Sequence, residues 1–320
     1  MQDKVFLGID TSNYTTSISF SNMEGEIIKN YKILLPVKEG ERGLRQSDAV
    51  FAHIKNIPQI AKLIESELKE YNYEIMAVGH SAYPRDCEGS YMPCFLVGEA
   101  ISELISSLYK IKNFKFSHQS GHIKSALYSA GISKIYEPFI AFHVSGGTTE
   151  ILYVTPNSKK GCDITLIGGS KDLHAGQAID RIGVKMGLKF PCGPQFEALA
   201  TKNDKEIPIR KLSVDNLWCN LSGIENLALK LYETTNDKPL VCAFTLNYIG
   251  NTLIELTNNL RKQYKNIKIV FAGGVMSNSI IKKQINTSFK DVYFALPEFS
   301  SDNAAGIALL TRENFLKEVL

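Results

Sequence analysis

No apolar run in this 320-residue chain approaches the roughly 18–20 residues that cross a bilayer, which argues against a helical membrane protein. Gly and Pro, at 23 and 11, stay at ordinary levels, so collagenous and low-complexity chains are excluded as well. The six cysteines (Cys87, Cys94, Cys162, Cys192, Cys219, Cys242) include no CxxC pair, and neither a disulfide framework nor a zinc knuckle is encoded. Charge of one sign is also lacking. Basic residues number 36 and acidic 33, with no block of five like charges. Bulk charge therefore announces no nucleic-acid binder, although a local patch is compatible with a near-neutral chain. The start, MQDKVFLGID, has neither the basic opening nor the long apolar core of a secretion signal. The expectation is a cytoplasmic protein without a membrane partner.

What is present is a globular composition, 44% hydrophobic and 22% charged, long enough for one large or two mid-sized α/β lobes. Apolar runs and alternation predict strands at Val5–Ile9, Thr16–Phe20 and Ile27–Leu35. Spaced apolar positions over 48–70 predict a helix kinked at Pro58, and Ile75–Gly79 a short strand. Phe95–Tyr109 and Ser117–Ser129 read as helices. A second cycle follows, with strands at Pro138–Val144 and Thr149–Val154, a PNSKKG turn, and a strand at Asp163–Ile167. FLGIDTSNYTTSISF and FHVSGGTTEILYV share one design: a strand, a small polar turn containing Thr-Thr, and a returning strand. That echo predicts two related lobes with a cleft between them. Beyond residue 174 the pattern is mostly helical, interrupted by strands at Ile267–Phe271 and Val292–Leu296.

Five motifs carry chemistry. HVSGGTT offers consecutive backbone N–H groups at Gly146 and Gly147 with the hydroxyls of Ser145, Thr148 and Thr149, suited to phosphate oxygens. DTSNYTT adds hydroxyls beside Asp10, an acid that could serve a metal-bound water. VFAGGVMSN runs a buried strand into Gly273–Gly274 and a helix start, a geometry for nucleotide contact, though tight strand–helix packing explains it equally. His118 and His122 stand four apart in a helical segment, so both imidazoles leave one face and can chelate one ion. Gln119 follows His118 where a zinc protease would need glutamate, which argues against proteolysis. Asp302, before a small-residue helix start, is the candidate third ligand, with a helix N-cap as its ordinary alternative. Asp180 and Glu197 lie on adjacent helices around PCGP, where two carboxylates can take the hydroxyls of a ribose or simply face water. His53, His80 and His174 form no constellation in the sequence.

Taken in order, LGIDTS, HQSGH, HVSGG, AGQAIDRIGVKMGLKFPCGPQFEALA, LSGIENLAL, FAGGVMSN and SSDNAAGIAL resemble the signatures of the TsaD family of threonylcarbamoyl-transfer proteins across nearly the whole chain. The resemblance implies a duplicated actin-like (sugar kinase/Hsp70-type) ATPase fold, an α/β architecture of two lobes with nucleotide between them. The lobes are expected at 1–115 and 116–320, with the last helix a candidate to return to the first. His118, His122 and Asp302 would hold iron or zinc. His143, Val144, Ser145, Gly146 and Gly147 would cradle the phosphates of ATP, AMP or an acyl-adenylate, with Gly273 and Gly274 beside them. Asp180, Gly193 and Glu197 would take the ribose and Asn278 the adenine side, leaving Asp10 and Thr11 as catalytic candidates. The implied reaction passes a threonylcarbamoyl group from its adenylate to N6 of the tRNA adenosine beside the anticodon. The implied partners are tRNA and either TsaB/TsaE-like accessory proteins or a second copy of the chain.

The sequence departs from the family pattern around that chemistry. DTSNYTT stands where the family has ETSCDET, so Tyr14 and Thr15 replace an Asp-Glu pair. GGSKDLHAGQA keeps Asp172 of GETxDDAxGEA and loses three of its acids, while SGIE exchanges the lysine of SGLK for Glu225. Two alternatives therefore stay open beside tRNA modification: a nucleotide-binding regulatory paralogue, and a carbamoyltransferase acting on a small molecule.

Overall fold

The computed structural model describes residues 3–12, 14–36, 44–68, 72–132, 137–157 and 161–319. The chain divides into two compact units, one of Met1–Lys134, Pro156–Ile164 and Ser301–Leu320, the other of Ile135–Thr155 and Thr165–Ser300.

The first unit opens with β1 (Asp3–Asp10), β2 (Thr15–Asn22) and β3 (Ile27–Leu34), then α1 (Gln46–Leu68), β4 (Tyr73–Tyr83), α2 (Phe95–Tyr109), β5 (Lys112–Ser117) and α3 (His118–Ser129). Its five-stranded sheet has the order β3-β2-β1-β4-β5. β1 pairs antiparallel with β2 and parallel with β4, and β4 pairs parallel with β5. β1 is central and covered on both faces, hence its unbroken apolar run, with Val5, Phe6 and Ile9 fully buried. Val5, Leu7, Ile9, Ile18 and Phe20 pack under Ile60 of α1 and Ile101 and Ile105 of α2.

The second unit contains β6 (Phe139–Val144), β7 (Thr149–Asn157) and β8 (Gly161–Ser170), whose facing ends fall in the 156–164 stretch of the first. There follow α4 (Ala175–Lys185), α5 (Gly193–Ala200), the two-residue strands β9 (Val214–Asp215) and β10 (Trp218–Cys219), α6 (Ser222–Thr235), α7 (Lys238–Gln263), β11 (Lys268–Ala272), α8 (Ser279–Ser288), β12 (Val292–Phe294) and the short α9 (Pro297–Ser300). The sheet order is β12-β11-β6-β7-β8-β10-β9. With the two-residue strands β9 and β10 set aside, the remaining five strands run β8-β7-β6-β11-β12, third-second-first-fourth-fifth in chain order as in the first unit, and the two Thr-Thr hairpins occupy the same place. The duplication expected from the echo is present in the topology. Phe142 stacks on Phe271 at 4.6 Å in a core that includes Ile140, Phe196, Leu246 and Ile249. Each such side chain contributes roughly 1.5–3 kcal/mol of burial.

The chain ends in α10 (Ala305–Val319), which belongs to the first unit. Its small residues explain how it lies so close. A Cβ on Gly8 would strike the backbone of Ala304 and Ala308, and one on Gly306 would overlap the Gly121 carbonyl of α3. Phe6 packs against Phe315 with ring centroids 5.4 Å apart.

The structure corrects the sequence reading in three places. β5 was not expected, the stretch 201–213 is irregular rather than helical, and β9 and β10 follow it. Residues 69 and 70 of the predicted first helix, and the centre of the PNSKKG turn, lie outside the described residues.

Candidate functional site

The glycine contact between α3 and α10 brings two distant parts of the first unit together. His118 and His122, one turn apart on α3, face Asp302 just ahead of α10. Asp302 Oδ1 lies 3.2 Å from His122 Nε2 and 3.6 Å from His118 Nε2. One ligand atom from each of the three falls within 4.8 Å of the others. The imidazole side chains are only 16% and 9% exposed, so they are not surface histidines. Nor does Asp302 cap the following helix. Asn303 does so, accepting the Ala305 N–H at 3.0 Å and the Ser125 hydroxyl at 3.1 Å. Asp302 is thereby left to the histidines.

Asp10, at the end of β1, stands behind His118. Its buried carboxylate accepts from His118 Nδ1 at 3.0 Å, from Ser12 Oγ at 2.6 Å and from the Ser81 hydroxyl of β4. Nδ1 is thus held as a donor and Nε2 is turned toward Asp302, the orientation a metal-binding histidine receives from a supporting carboxylate. Asp10 is accordingly a positioning residue. Sequence reasoning missed Ser12 and Ser81, since nothing in the primary structure announces that three strand ends converge on one carboxylate.

The charges are strongly coupled. Burial alone would depress the His118 imidazole, but Asp10 and Asp302 outweigh it and raise it to about 10. Burial pushes the Asp10 carboxyl up, and His118 more than offsets this, leaving it below its ordinary value. Asp302, opposed by burial but bonded to both histidines, is held far below the carboxylate range. Two imidazoles and one carboxylate, with a second carboxylate orienting one imidazole, form a donor set suited to zinc or iron. The residues present fit such an ion.

Neighbouring residues are mostly structural. The Thr11 hydroxyl donates to the Cys94 carbonyl at 2.9 Å and accepts the Gly98 N–H at 3.0 Å, fastening the start of α2 rather than facing the acid cluster. Tyr14, 39% exposed, feels the charge of Asp302, and burial followed by that charge raises its phenol. His53 is buried with Nδ1 2.8 Å from Thr16 Oγ1, and desolvation lowers it to about 4.

The remaining candidates belong to the second unit. Between β6 and β7, Ser145 N–H donates to the Thr148 carbonyl at 2.8 Å, and Gly147 N–H to Ser145 Oγ at 3.2 Å. The first turn of α4 packs under this loop, with Gly176 N–H to the Ser145 carbonyl at 3.1 Å and Ala175 N–H to Thr149 Oγ1 at 2.9 Å. A Cβ on Gly176 would come within 2.6 Å of Gly146, whereas Cβ atoms on Gly146, Gly147 and Gly274 would meet open space. Ala272 pairs with His143, so the glycine turns after β6 and β11 share the carboxyl edge of two parallel strands. Gly273 has φ 100°, and a Cβ there would strike the Val144 backbone. Open backbone at strand ends beside a helix N-terminus is an anion-binding arrangement.

Asp180 on α4 accepts the Cys192 N–H at 2.8 Å, next to Gly193, and burial raises its carboxyl. Glu197 Oε1 accepts the Ser279 N–H at 2.8 Å, and Asn278 caps α8 through the N–H groups of Ile280 and Ile281, both at 3.1 Å. Glu197 and Asn278 are thus brought together at the start of α8. Asp172 binds the N–H groups of Leu221 at 2.7 Å and Ser222 at 3.2 Å, fixing the start of α6. Glu225 pairs with Lys185 at 3.0 Å and Arg181 at 3.2 Å.

A family profile described as TsaD, tRNA N6-adenosine threonylcarbamoyltransferase, matches residues 37–309. A tRNA N6-adenosine threonylcarbamoyltransferase of Streptococcus suis (strain 05ZYH33) is 26% identical over 335 residues, covering 100% of this chain and 95% of the relative. The protein of that name from Streptococcus pneumoniae (strain Taiwan19F-14) is 25% identical over 332 residues, covering 99% and 94%. Among solved structures, full-length HypF in its phosphate- and nucleotide-bound form is similar at TM-score 0.60 and 13% identity over 100% of this chain, which spans 46% of HypF. Component A of the Acidaminococcus fermentans (R)-2-hydroxyglutaryl-CoA dehydratase matches at TM-score 0.55 and 16% identity, covering 98% and 99%. These likenesses show the fold, that of the actin-like ATPases.

Proposed function

The chain belongs to the TsaD family of tRNA N6-adenosine threonylcarbamoyltransferases, and on that premise we propose that it transfers a threonylcarbamoyl group from an adenylate to tRNA in a metal-dependent reaction. Family membership supports the enzyme class and tRNA as acceptor. The donor, the ion and the residue roles are the finer reading. The observation that carries it is the convergence of His118, His122 and Asp302 within 4.8 Å, with Asp10 fixing the first imidazole.

In this reading His118, His122 and Asp302 hold iron or zinc, which when bound supplies Lewis-acid polarisation of an oxygen in the acyl or phosphate group. Asp10 keeps His118 in the tautomer that offers Nε2. The Ser145–Gly147 turn and the Gly273–Gly274 turn bind the adenylate phosphate. Asp180 and Glu197 each have one oxygen occupied by a backbone N–H, and the other is assigned to the ribose, beside the open approach at Gly193. Asn278 is assigned to the adenine side. The N6 amine attacks the carbamoyl carbon, and the bond from that carbon to the phosphate oxygen breaks to release AMP. The regulatory alternative is less favoured, since all three candidate ligands are present and converge.

Leu96, Leu104 and Leu108 form an exposed apolar stripe on α2, with Phe51 and Ile54 exposed on α1. Such a surface supports a protein partner, an accessory protein or a second copy. No helix among the described residues is long and apolar enough to cross a membrane, and a cytoplasmic site of action is part of the same proposal.

The test uses synthetic threonylcarbamoyl-adenylate and a tRNA transcript, with metal content measured in parallel. The wild type is expected to bind about one ion per chain and form modified adenosine, both lost in His118→Ala/His122→Ala. A metal-free wild type with undiminished transfer would sink the mechanism.

A further inference from the structure

Net charge is distributed unevenly along the chain. Residues 258–292 carry seven basic residues (Arg261, Lys262, Lys265, Lys268, Lys282, Lys283, Lys290) and one acid, Asp291, whereas the rest of the chain carries 29 basic and 32 acidic residues. The fold gathers most of this excess at one place. α7 ends four residues before β11 begins at Lys268, and α8 ends three residues before β12 begins at Val292. β11 and β12 are parallel neighbours with Ile269 opposite Val292, so both connections lie at the edge of the sheet where these strands start. Arg261 of α7 joins the two directly, 2.8 Å from Asp291 and stacked over Phe289 at 5.6 Å.

That contact engages the segment's single acid. Lys262, Lys265, Lys268 and Lys290 remain exposed, and none lies within ion-pair distance of a carboxylate among the described residues. Lys262 and Lys290 rest on neutral oxygens, those of Asn259 at 2.9 Å and Asn286 at 3.2 Å. The exposed Glu137, two residues ahead of β6, adds one acid to the same edge and leaves it positive. Helix dipoles account for Arg261 and Lys262 in the last turn of α7. They do not account for Lys265, Lys268 and Lys290, which lie beyond their helices. Nor is this the edge assigned to the adenylate, since the five residues of β11 separate the two by about 16 Å.

We propose that this edge of the second unit is a docking surface for the phosphate backbone of the RNA substrate, away from the reacting base. The proposal rests on the reading of tRNA as acceptor. Lysines on flexible stems, free of acidic partners, suit contacts that add affinity irrespective of sequence. The reacting adenosine is then read elsewhere, and this surface holds another part of the same molecule.

The test is the salt dependence of binding between the full chain and a labelled full-length tRNA transcript, measured without turnover. The quadruple variant Lys262→Gln/Lys265→Gln/Lys268→Gln/Lys290→Gln is compared with the wild type and with Lys4→Gln/Lys55→Gln/Lys62→Gln/Lys110→Gln. The second variant removes the same charge from exposed positions of the first unit. The patch variant is expected to bind about 10- to 100-fold more weakly at low salt, with the slope of log K against log salt reduced by about 3. The control should keep the wild-type slope, and thermal midpoint and metal content should be unchanged in both. An unchanged slope in the patch variant, or an equal loss in both variants, would overturn the docking surface while leaving the acceptor reading intact. A wild type that binds no tRNA would overturn both.

Discussion

Replacing Asp10 by asparagine keeps the shape of the side chain and removes the charge that faces His118 Nδ1 at 3.0 Å. Two effects follow, and they have opposite signs. Loss of a carboxylate that orients a ligating imidazole typically weakens metal binding 10- to 100-fold, or about 1.4–2.7 kcal/mol. Yet Asp10 also helps hold His118 at about 10, so in the wild type an incoming ion must displace a proton throughout the neutral range. Each pH unit below that value lowers apparent affinity about tenfold, near 1.4 kcal/mol. Asp10→Asn relieves part of this competition, because only Asp302 remains to raise the imidazole. Zinc affinity, measured against a chromophoric chelator from pH 6.5 to 8.5, should therefore climb about tenfold per unit in the wild type and less steeply in the variant. The variant should be clearly weaker at pH 8.5, with the two curves converging toward pH 6.5. Parallel curves, or a wild-type affinity independent of pH, would refute the coupling of Asp10 to the site.

The same raised imidazole governs the metal-free chain: His118 contributes stability that is fully present below about pH 6.5 and lost as pH rises toward 10, so the urea midpoint should fall between pH 7 and 9. Asp172, opposed by burial but bonded to Ser222 and three backbone N–H groups, has a lowered carboxyl. Its contribution is present above about pH 4 and lost on further acidification, and Asp172→Ala should cost about 1 kcal/mol by thermal unfolding at pH 7, as loss of a helix cap does. Gly176→Ala drives a Cβ into the Ser145 carbonyl and Gly146, and should cost roughly 1–3 kcal/mol while weakening adenosine-nucleotide binding measured by calorimetry.

Periodicity carried most of the fold. β1 and β6 were legible as apolar runs, β2 and β7 as their returning partners, and each pair brackets a Thr-Thr turn. β5 was not, since KNFKFS carries two lysines and few apolar residues, and only pairing with β4 makes it a strand. The irregular 201–213 stretch has polar spacing that imitates a helix surface. Within the site, the i, i+4 histidines were visible from spacing alone, whereas Asp302 stood in the sequence with a helix N-cap as its alternative, and its freedom from capping duty depends on Asn303. The role of Asp10 was hidden for a different reason: a strand-end acid has no sequence mark saying which histidine it meets 108 residues later. Glu197 and Asn278 appeared as separate ligands, and no local pattern foretold that both serve the start of α8.

The candidate ligands also impose an order on biosynthesis. His118 and His122 leave the ribosome about 180 residues before Asp302, and every residue of the second unit is made in between. At roughly 5–20 residues per second that interval lasts about 9–36 s. During it β1 lacks its α10 cover and the two histidines lack their acid. An ion held by these three residues would thus be acquired only after the second unit has emerged.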